Sequence, residues 1–223
     1  MIIKSSRVQA RHGEQIARYL EDQGENELVS WALGDAEDIA LMSLIAQYSN
    51  KLFGVRHFVI APGKDLSIFE LQTTVRDVYE EYDVTSLSQN QACLVMHQKP
   101  RSRAGVCDVH FHLAVAELDP GSGRVMCSRF TKMRDEKIAR ILELKFGHPP
   151  ILGRFNRAVY NAIQREQPDL DLTPFEGALK SAAAAQGLPA KSWKDVKAFA
   201  PNIHAQKRQG MVMEQGLTPP FAI

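Results

Sequence analysis

Three histidines, His97, His110 and His112, are the residues whose types and spacing point most directly to chemistry. His110 and His112 flank Phe111 in an apolar run, which predicts a strand on which both imidazoles project to the same side. His97 ends the preceding apolar run and supplies a third imidazole if its strand is the neighbour. Three imidazoles on a rigid sheet can bind a divalent cation and leave coordination positions open for a substrate.

A purely structural role is the alternative for these histidines. A single histidine in a strand is more often a core residue with one satisfied hydrogen bond than a ligand. Two on one strand face are harder to explain in that way, because each buried imidazole needs its own partner. We therefore assign His97, His110 and His112 to a metal site.

Composition sets broad limits on the kind of protein. The 223 residues are 44% hydrophobic and 24% charged, which is ordinary for a globular protein with one sizeable core. No window approaches the ~20 apolar residues that span a bilayer, and the first residues lack the apolar core of a signal peptide. We therefore expect a cytoplasmic protein without membrane insertion. The three cysteines show no CxxC spacing, which argues against a disulfide framework and a structural zinc site.

Basic residues are concentrated near the histidines, although the formal net charge of +1 gives no global sign of nucleic-acid binding. Lys99, Arg101 and Arg103 crowd the loop between the two histidine-bearing runs, and Arg154 and Arg157 follow later. Such a loop is usually just solvated. Beside a metal site it becomes a candidate surface for the phosphates of DNA, which proteins hold mainly with lysine and arginine.

Hydrophobic periodicity predicts the elements around these residues. The predicted strands are 2–9, 56–61, the two histidine runs and an edge strand at 125–130. The predicted helices are 13–22, 35–52, 67–82, 138–146, 154–166, 174–186 and 192–199. Ser67 and Glu70 form a capping-box pattern at the start of one of these helices. Residues 202–223 show no clear periodicity.

Several segments together resemble a known family. The histidine spacing and the sequence Ala116-Glu-Leu-Asp-Pro-Gly-Ser-Gly-Arg-Val125 resemble the third motif of the conjugative relaxases, the mobilization nucleases of the HUH endonuclease superfamily. Residues 1–7, 15–20 and 57–67 are similar to the family's opening strand, its tyrosine-bearing helix and its second strand-and-turn motif. Residues 143–148 and 153–158 resemble the segment that follows. The resemblance covers roughly residues 1–160, with the motifs in the family's order.

The resemblance implies a fold and an activity. It implies an α/β protein with a central, largely antiparallel sheet flanked by helices over residues 1–150, followed by a helical C-terminal extension over 151–223. The implied activity is metal-dependent nicking and rejoining of single-stranded DNA at a transfer origin, in plasmid mobilization or conjugative transfer. It also implies Mg²⁺ or Mn²⁺ as the cofactor, and relaxosome accessory and coupling proteins as partners.

The resemblance also assigns roles to individual residues. Tyr19 is implied as the nucleophile that forms a covalent phosphotyrosine, with Tyr48 in reserve. A tyrosine hydroxyl, whose ordinary pKa is about 10, is a weak nucleophile, and a cation that collects charge in the transition state compensates for this. From strand parity, Asp108 is a candidate to orient a ligand imidazole. Asp65 is a second candidate, although it can simply complement the N-terminus of the next helix.

Two other classes of protein fit parts of the pattern. A non-catalytic accessory that binds single-stranded DNA on the same scaffold would keep these motifs without strand cleavage. A cupin-like metalloprotein is suggested by His110-x-His112 followed by Glu117. That fold needs many short strands, whereas the chain is mostly helical in pattern after residue 131.

Overall fold

The fold is that of a computed structural model that describes residues 1–22, 24, 28–99 and 107–196. Its strands are β1 Ile2–Gln9, β2 Leu28–Leu33, β3 Phe53–Ala61, β4 Cys93–Gln98 and β5 Val109–Ala116. Its α-helices are α1 Gly13–Glu21, α2 Ala36–Tyr48, α3 Ile68–Tyr82, α4 Ser86–Asn90, α5 Thr131–Lys145, α6 Asn156–Glu166 and α7 Thr173–Ala185. Short 3-10 helices cover Ala10–His12 and Ala190–Asp195.

The five described strands form one antiparallel sheet in the order β1-β3-β5-β4-β2. Strand β5 lies in the centre, between β3 and β4. Helices pack on both faces, which confirms the predicted α/β class with an antiparallel sheet flanked by helices. A central antiparallel strand with both faces covered must be apolar on both faces, and the sequence Val-His-Phe-His-Leu-Ala-Val-Ala of β5 is largely so.

The two faces of the sheet contribute to two separate cores. On one face Phe111, Leu113 and Val115 pack with residues of α3 and α5. On the other face Ala114 and Ala116 pack with residues of α1 and α2. Because side chains alternate along β5, His110 and His112 lie on the face of α1 and α2.

The helices after residue 150 have a third core. Val159 of α6 and Phe175 and Leu179 of α7 are buried there, together with Ile141 of α5. Helix α5 thus contacts both the sheet and the later helices. The division at residue 150 stays a prediction.

Several sequence-based predictions of elements and their boundaries are wrong. The edge strand predicted at 125–130 is absent, because the chain makes only an isolated bridge from Leu118 to Val125 and turns into α5 at Phe130, which has a positive φ of 55°. The helix predicted over 35–52 ends at Tyr48, and β3 begins at Phe53. Strand β2, which no sequence pattern indicated, completes the sheet edge beside β4. The capping box of Ser67 and Glu70 is confirmed.

The end predicted for the last helix also differs. Instead of an α-helix over 192–199, the chain forms the 3-10 helix at Ala190–Asp195, and residues 197–199 lie outside the described part. None of the described helices is both long enough and apolar enough to cross a membrane.

Glu117 forms a buried ion pair on the face of the sheet opposite the histidines. Arg56 donates to both carboxylate oxygens, from Nε to Oε2 at 2.7 Å and from Nη2 to Oε1 at 2.9 Å. Arg7 Nε lies 2.7 Å from Oε1. Arg56 and Glu117 are both fully buried. Glu117 is therefore not available as a metal ligand. The described strands form a single open sheet, which excludes the cupin-like alternative.

Replacing Glu117 with alanine should destabilise the fold strongly, because it leaves the buried guanidinium of Arg56 without its counter-charge. We expect a loss of about 3–5 kcal/mol in the free energy of unfolding, measured by urea denaturation. Glu14 pairs with Arg18 at 3.5 Å on the surface and serves as the control, since Glu14→Ala should cost about 0.5 kcal/mol or less. Equal losses in the two variants would contradict a central role for the buried pair.

Candidate metal centre

Strand register brings the three predicted ligands together. His97 of β4 lies directly opposite His110 of β5, and His112 lies opposite Val95 of β4 on one side and Val59 of β3 on the other. The three imidazoles share one face of the sheet. Because the positions are set by backbone pairing, the cluster is built on rigid elements rather than on a loop.

The three rings are in mutual contact. Their centroids are 5.3 Å apart for His97 and His110, 4.9 Å for His110 and His112, and 4.4 Å for His97 and His112. One ring nitrogen of each lies within 4.8 Å of one nitrogen of each of the others. His97 and His112 are buried, and His110 is half-buried, so the cluster is reached from the side of His110.

A backbone carbonyl orients His97. Its Nε2 lies 2.8 Å from the carbonyl oxygen of Leu20, and since a carbonyl can only accept, Nε2 carries the proton. The lone pair for a cation is then on Nδ1. Leu20 lies in the last turn of α1, where carbonyls lack partners within the helix. The same bond therefore attaches the end of α1 to the cluster.

A fourth histidine, His57 of β3, belongs to this site and was not assigned from sequence. Its Nε2 lies 2.8 Å from Nδ1 of His112, and the two ring planes are nearly parallel, with centroids 5.0 Å apart and an interplanar angle of 10°. His57 is buried. It lies one strand away from β5, so only the strand order and register could have revealed the contact.

His57 and His112 are neutral at neutral pH. Burial, with a smaller contribution from the neighbouring His97, lowers the pKa of His57 from 6.5 to about 4. Burial and then the nearby His57, His97 and His110 lower the pKa of His112 from 6.5 to about 2. A neutral imidazole keeps a lone pair on one nitrogen, which is the form that binds metals.

The donor set fits a divalent cation. Nε2 of His112 is buried and has no hydrogen-bond partner among the described residues. A buried polar atom without a partner is costly, and coordination to a cation would remove that cost. Imidazole nitrogen suits divalent transition metals. His97, His110 and His112 can therefore hold such an ion, whose identity these residues do not specify.

Tyr19 is the exposed tyrosine next to the cluster. Its side chain is 54% exposed, and its ring packs edge-on against His112 and His57, with centroids at 5.7 Å and 6.4 Å. Tyr48, the reserve candidate, is 83% exposed at the end of α2 and makes no ring contact with any described histidine.

The other three tyrosines have structural roles. Tyr82 is buried and donates to Asp135, and burial raises the pKa of its hydroxyl. Burial also raises the pKa of Tyr79 to about 12. Tyr160 donates to Glu176 in the third core, and burial raises its pKa to about 12. Tyr19 is thus the exposed tyrosine that contacts the histidines, although its role as nucleophile stays a prediction.

The two acidic candidates have other partners. Asp65 accepts a hydrogen bond from the thiol of Cys107 at 3.2 Å. Asp108 accepts from the side-chain amide of Gln98 at 3.1 Å. Their proposed role in orienting a ligand imidazole stays untested, and the orienting contacts seen for His97 and His112 come from other groups.

The predicted DNA-binding residues are distributed unevenly. Lys99 directly follows β4, and its backbone N–H donates to the carbonyl of Asp108 at 2.9 Å. Arg157 forms an exposed pair with Asp195 at 2.9 Å. The exposed Arg154 lies before α6, and its backbone N–H donates to Glu136. The remaining two candidates, Arg101 and Arg103, lie outside the described residues.

Comparison with known proteins does not identify the function of this site. No protein-family model and no curated protein sequence matches the chain. Among solved structures, the chain is similar to the conjugative relaxase TrwC in complex with oriT DNA, in a metal-bound structure. The identity is 11%, 97% of this chain and 99% of that chain are covered, and the TM-score is 0.36. Because that score does not establish a shared fold, the functional argument rests on the site itself.

The half-buried His110 is the candidate ligand whose removal should disturb the fold least. We expect His110→Ala to weaken Mn²⁺ binding at least about 100-fold, equivalent to about 2.7 kcal/mol, because one of three protein ligands is lost. Isothermal titration calorimetry measures the affinity. His148, which lies near Glu70 outside the cluster, provides the control variant His148→Ala. Unchanged Mn²⁺ affinity in His110→Ala would contradict the assignment.

Proposed function

We propose that this protein nicks and rejoins single-stranded DNA at a transfer origin, in plasmid mobilization or conjugative transfer, using a divalent metal and Tyr19. The observation that carries the proposal is an exposed tyrosine ring packed 5.7 Å from His112, a member of a buried three-histidine cluster. A nucleophile and a cation site must lie this close to act on one phosphodiester. The motif resemblance in residues 1–160 supports the same activity.

In this proposal Tyr19 acts as the nucleophile. Its hydroxyl oxygen loses its proton to solvent and forms a bond to the scissile phosphorus, the bond from phosphorus to the 3′ oxygen breaks, and the 3′ oxygen takes up a proton from solvent. The product is a 5′-phosphotyrosine and a free 3′-hydroxyl. Because the number of phosphodiester bonds is conserved, the 3′-hydroxyl can attack the phosphotyrosine and rejoin the strand without an external energy source.

The chain's own residues position this reaction. A cation, proposed to be Mg²⁺ or Mn²⁺, would supply Lewis-acid stabilisation of the charge that develops on the phosphate oxygens. His97, His110 and His112 would hold it through imidazole nitrogens, and of the two ions imidazole favours Mn²⁺. The hydrogen bond from His97 to the carbonyl of Leu20 keeps the neighbouring Tyr19 beside the cluster.

The activity can be tested with supercoiled plasmids that carry candidate transfer origins. We expect Mn²⁺-dependent conversion to the open circular form and, on denaturing gels, a protein covalently attached to the 5′ end of the nick. Binding of an origin oligonucleotide without any nick or adduct in Mn²⁺ or Mg²⁺ would contradict the catalytic proposal. That result would favour the non-catalytic DNA-binding alternative.

Tyr19→Phe removes only the hydroxyl group, so it should abolish the covalent adduct while leaving the affinity for single-stranded DNA within about twofold. Adduct formation is read on a denaturing gel and DNA affinity by fluorescence anisotropy. Tyr48→Phe is the matched control, since it removes the hydroxyl of the other exposed tyrosine, and it should leave the adduct unchanged. An adduct that persists in Tyr19→Phe and disappears in Tyr48→Phe would identify Tyr48 as the nucleophile.

Lys4 is a further DNA-contact candidate that the sequence did not indicate. It is exposed on β1, opposite Val59, which in turn lies opposite His112. Strands lie about 4.8 Å apart, so Lys4 is on the same face as the cluster and about 10 Å to its side. A DNA phosphate next to the scissile phosphate would lie between Lys4 and the histidine cluster.

Lys4→Ala should therefore weaken binding of a single-stranded origin oligonucleotide and reduce the slope of log K against log salt by about 0.7, the value for one lost phosphate contact. Lys51, also exposed but located before the opposite end of β3, provides the control variant Lys51→Ala. A salt slope that is the same in Lys4→Ala, Lys51→Ala and the wild type would exclude Lys4 from the DNA path.

A further inference from the structure

We propose that His57 is a positioning residue that holds His112 in the tautomer and orientation required for metal binding. This inference rests on the metal site of the proposed function, and it assigns a role to a residue that does not itself contact the cation. The supporting contact is the 2.8 Å hydrogen bond between Nε2 of His57 and Nδ1 of His112.

The geometry leaves His112 one way to bind a cation. Its Nδ1 is engaged by His57, and its Nε2 is buried without a partner among the described residues. Coordination through Nε2 requires a lone pair there, so the proton must be on Nδ1. His112 is then the donor in the bond, and Nε2 of His57 is the acceptor.

The orientation of the two rings agrees with this hydrogen bond. The ring planes of His57 and His112 differ by only 10°. The register of β3 sets the position of His57. It lies opposite Ala114, which is two residues beyond His112 on the same face. Nearly parallel planes let the N–H of one ring point at the lone pair of the other, so the bond restricts rotation of the His112 ring and keeps its Nε2 directed at the other two ligands.

The acceptors in this site are neutral. Metal-bound histidines commonly donate their second N–H to a carboxylate, a backbone carbonyl or water. Here His97 uses the carbonyl of Leu20, and His112 uses an imidazole. Neither acceptor adds negative charge next to the cation, so its attraction for a phosphate is not reduced by these contacts.

Two substitutions separate hydrogen bonding from space filling. His57→Phe keeps an aromatic ring against His112 but removes the acceptor, whereas His57→Gln loses the ring and retains an acceptor oxygen. We expect Mn²⁺ affinity, measured by calorimetry, to fall roughly 10- to 100-fold in His57→Phe and to recover to within about threefold of the wild type in His57→Gln. His148→Gln, at a half-buried histidine outside the cluster, is the matched control. Thermal unfolding of the metal-free proteins reports whether each variant is folded.

The tautomer provides a readout that does not depend on metal. In ¹⁵N NMR spectra of the metal-free protein, His112 should be protonated at Nδ1 in the wild type and in His57→Gln, and at Nε2 in His57→Phe. Wild-type Mn²⁺ affinity in a folded His57→Phe variant, or an Nε2-protonated His112 in the wild type, would overturn the proposal. A wild type that shows the Nδ1 tautomer but binds no Mn²⁺ would instead contradict the metal-dependent function and leave the hydrogen bond confirmed. A wild type that binds Mn²⁺ but fails to nick DNA would contradict the nuclease activity alone.

Discussion

The antiparallel register of β5 between β3 and β4 is the constraint on which the site depends. Side chains alternate along a strand, so a shift of one residue would move His110 and His112 into the core that now contains Phe111 and Leu113. Both faces of β5 are buried against helices, which makes such a shift costly. The two cores that stabilise the fold therefore also hold the imidazoles next to each other.

Helix α1 connects this sheet to the candidate nucleophile. The Leu20 side chain is fully buried in the core shared with α2, its carbonyl accepts from His97, and the adjacent Tyr19 faces solvent. A Cβ at Gly13 would lie 2.3 Å from Oγ of Ser43, so the absence of a side chain lets α1 pack closely on α2. The position of Tyr19 thus follows from tight helix packing and one hydrogen bond, rather than from contacts of its own hydroxyl.

The sequence predicted the parts of this arrangement that depend on local pattern. Alternation placed His110 and His112 on one face, and the capping box placed the start of α3 at Ser67. His57 and Lys4 were not found, because their relation to His112 depends on which strands are neighbours and in what register. Strand β2 is a short edge strand with an exposed, weak pattern, and the segment 125–130 has strand-like residues but pairs with the chain beyond β5 only around the Leu118–Val125 bridge. Local propensity does not predict which segments find a pairing partner in the sheet, so both segments were assigned wrongly.

Arg56 and His57 are consecutive, and their side chains lie on opposite faces of the sheet. A buried guanidinium close to a cation site would oppose metal binding, because charges interact strongly where water is excluded. Glu117 accepts two hydrogen bonds from Arg56 and neutralises that charge locally. The groups that contact His112 and His97 on the other face are the His57 imidazole and the carbonyl of Leu20. Confining the permanent charges of Arg56 and Glu117 to the other face keeps them away from the three-histidine cluster, which favours cation binding there.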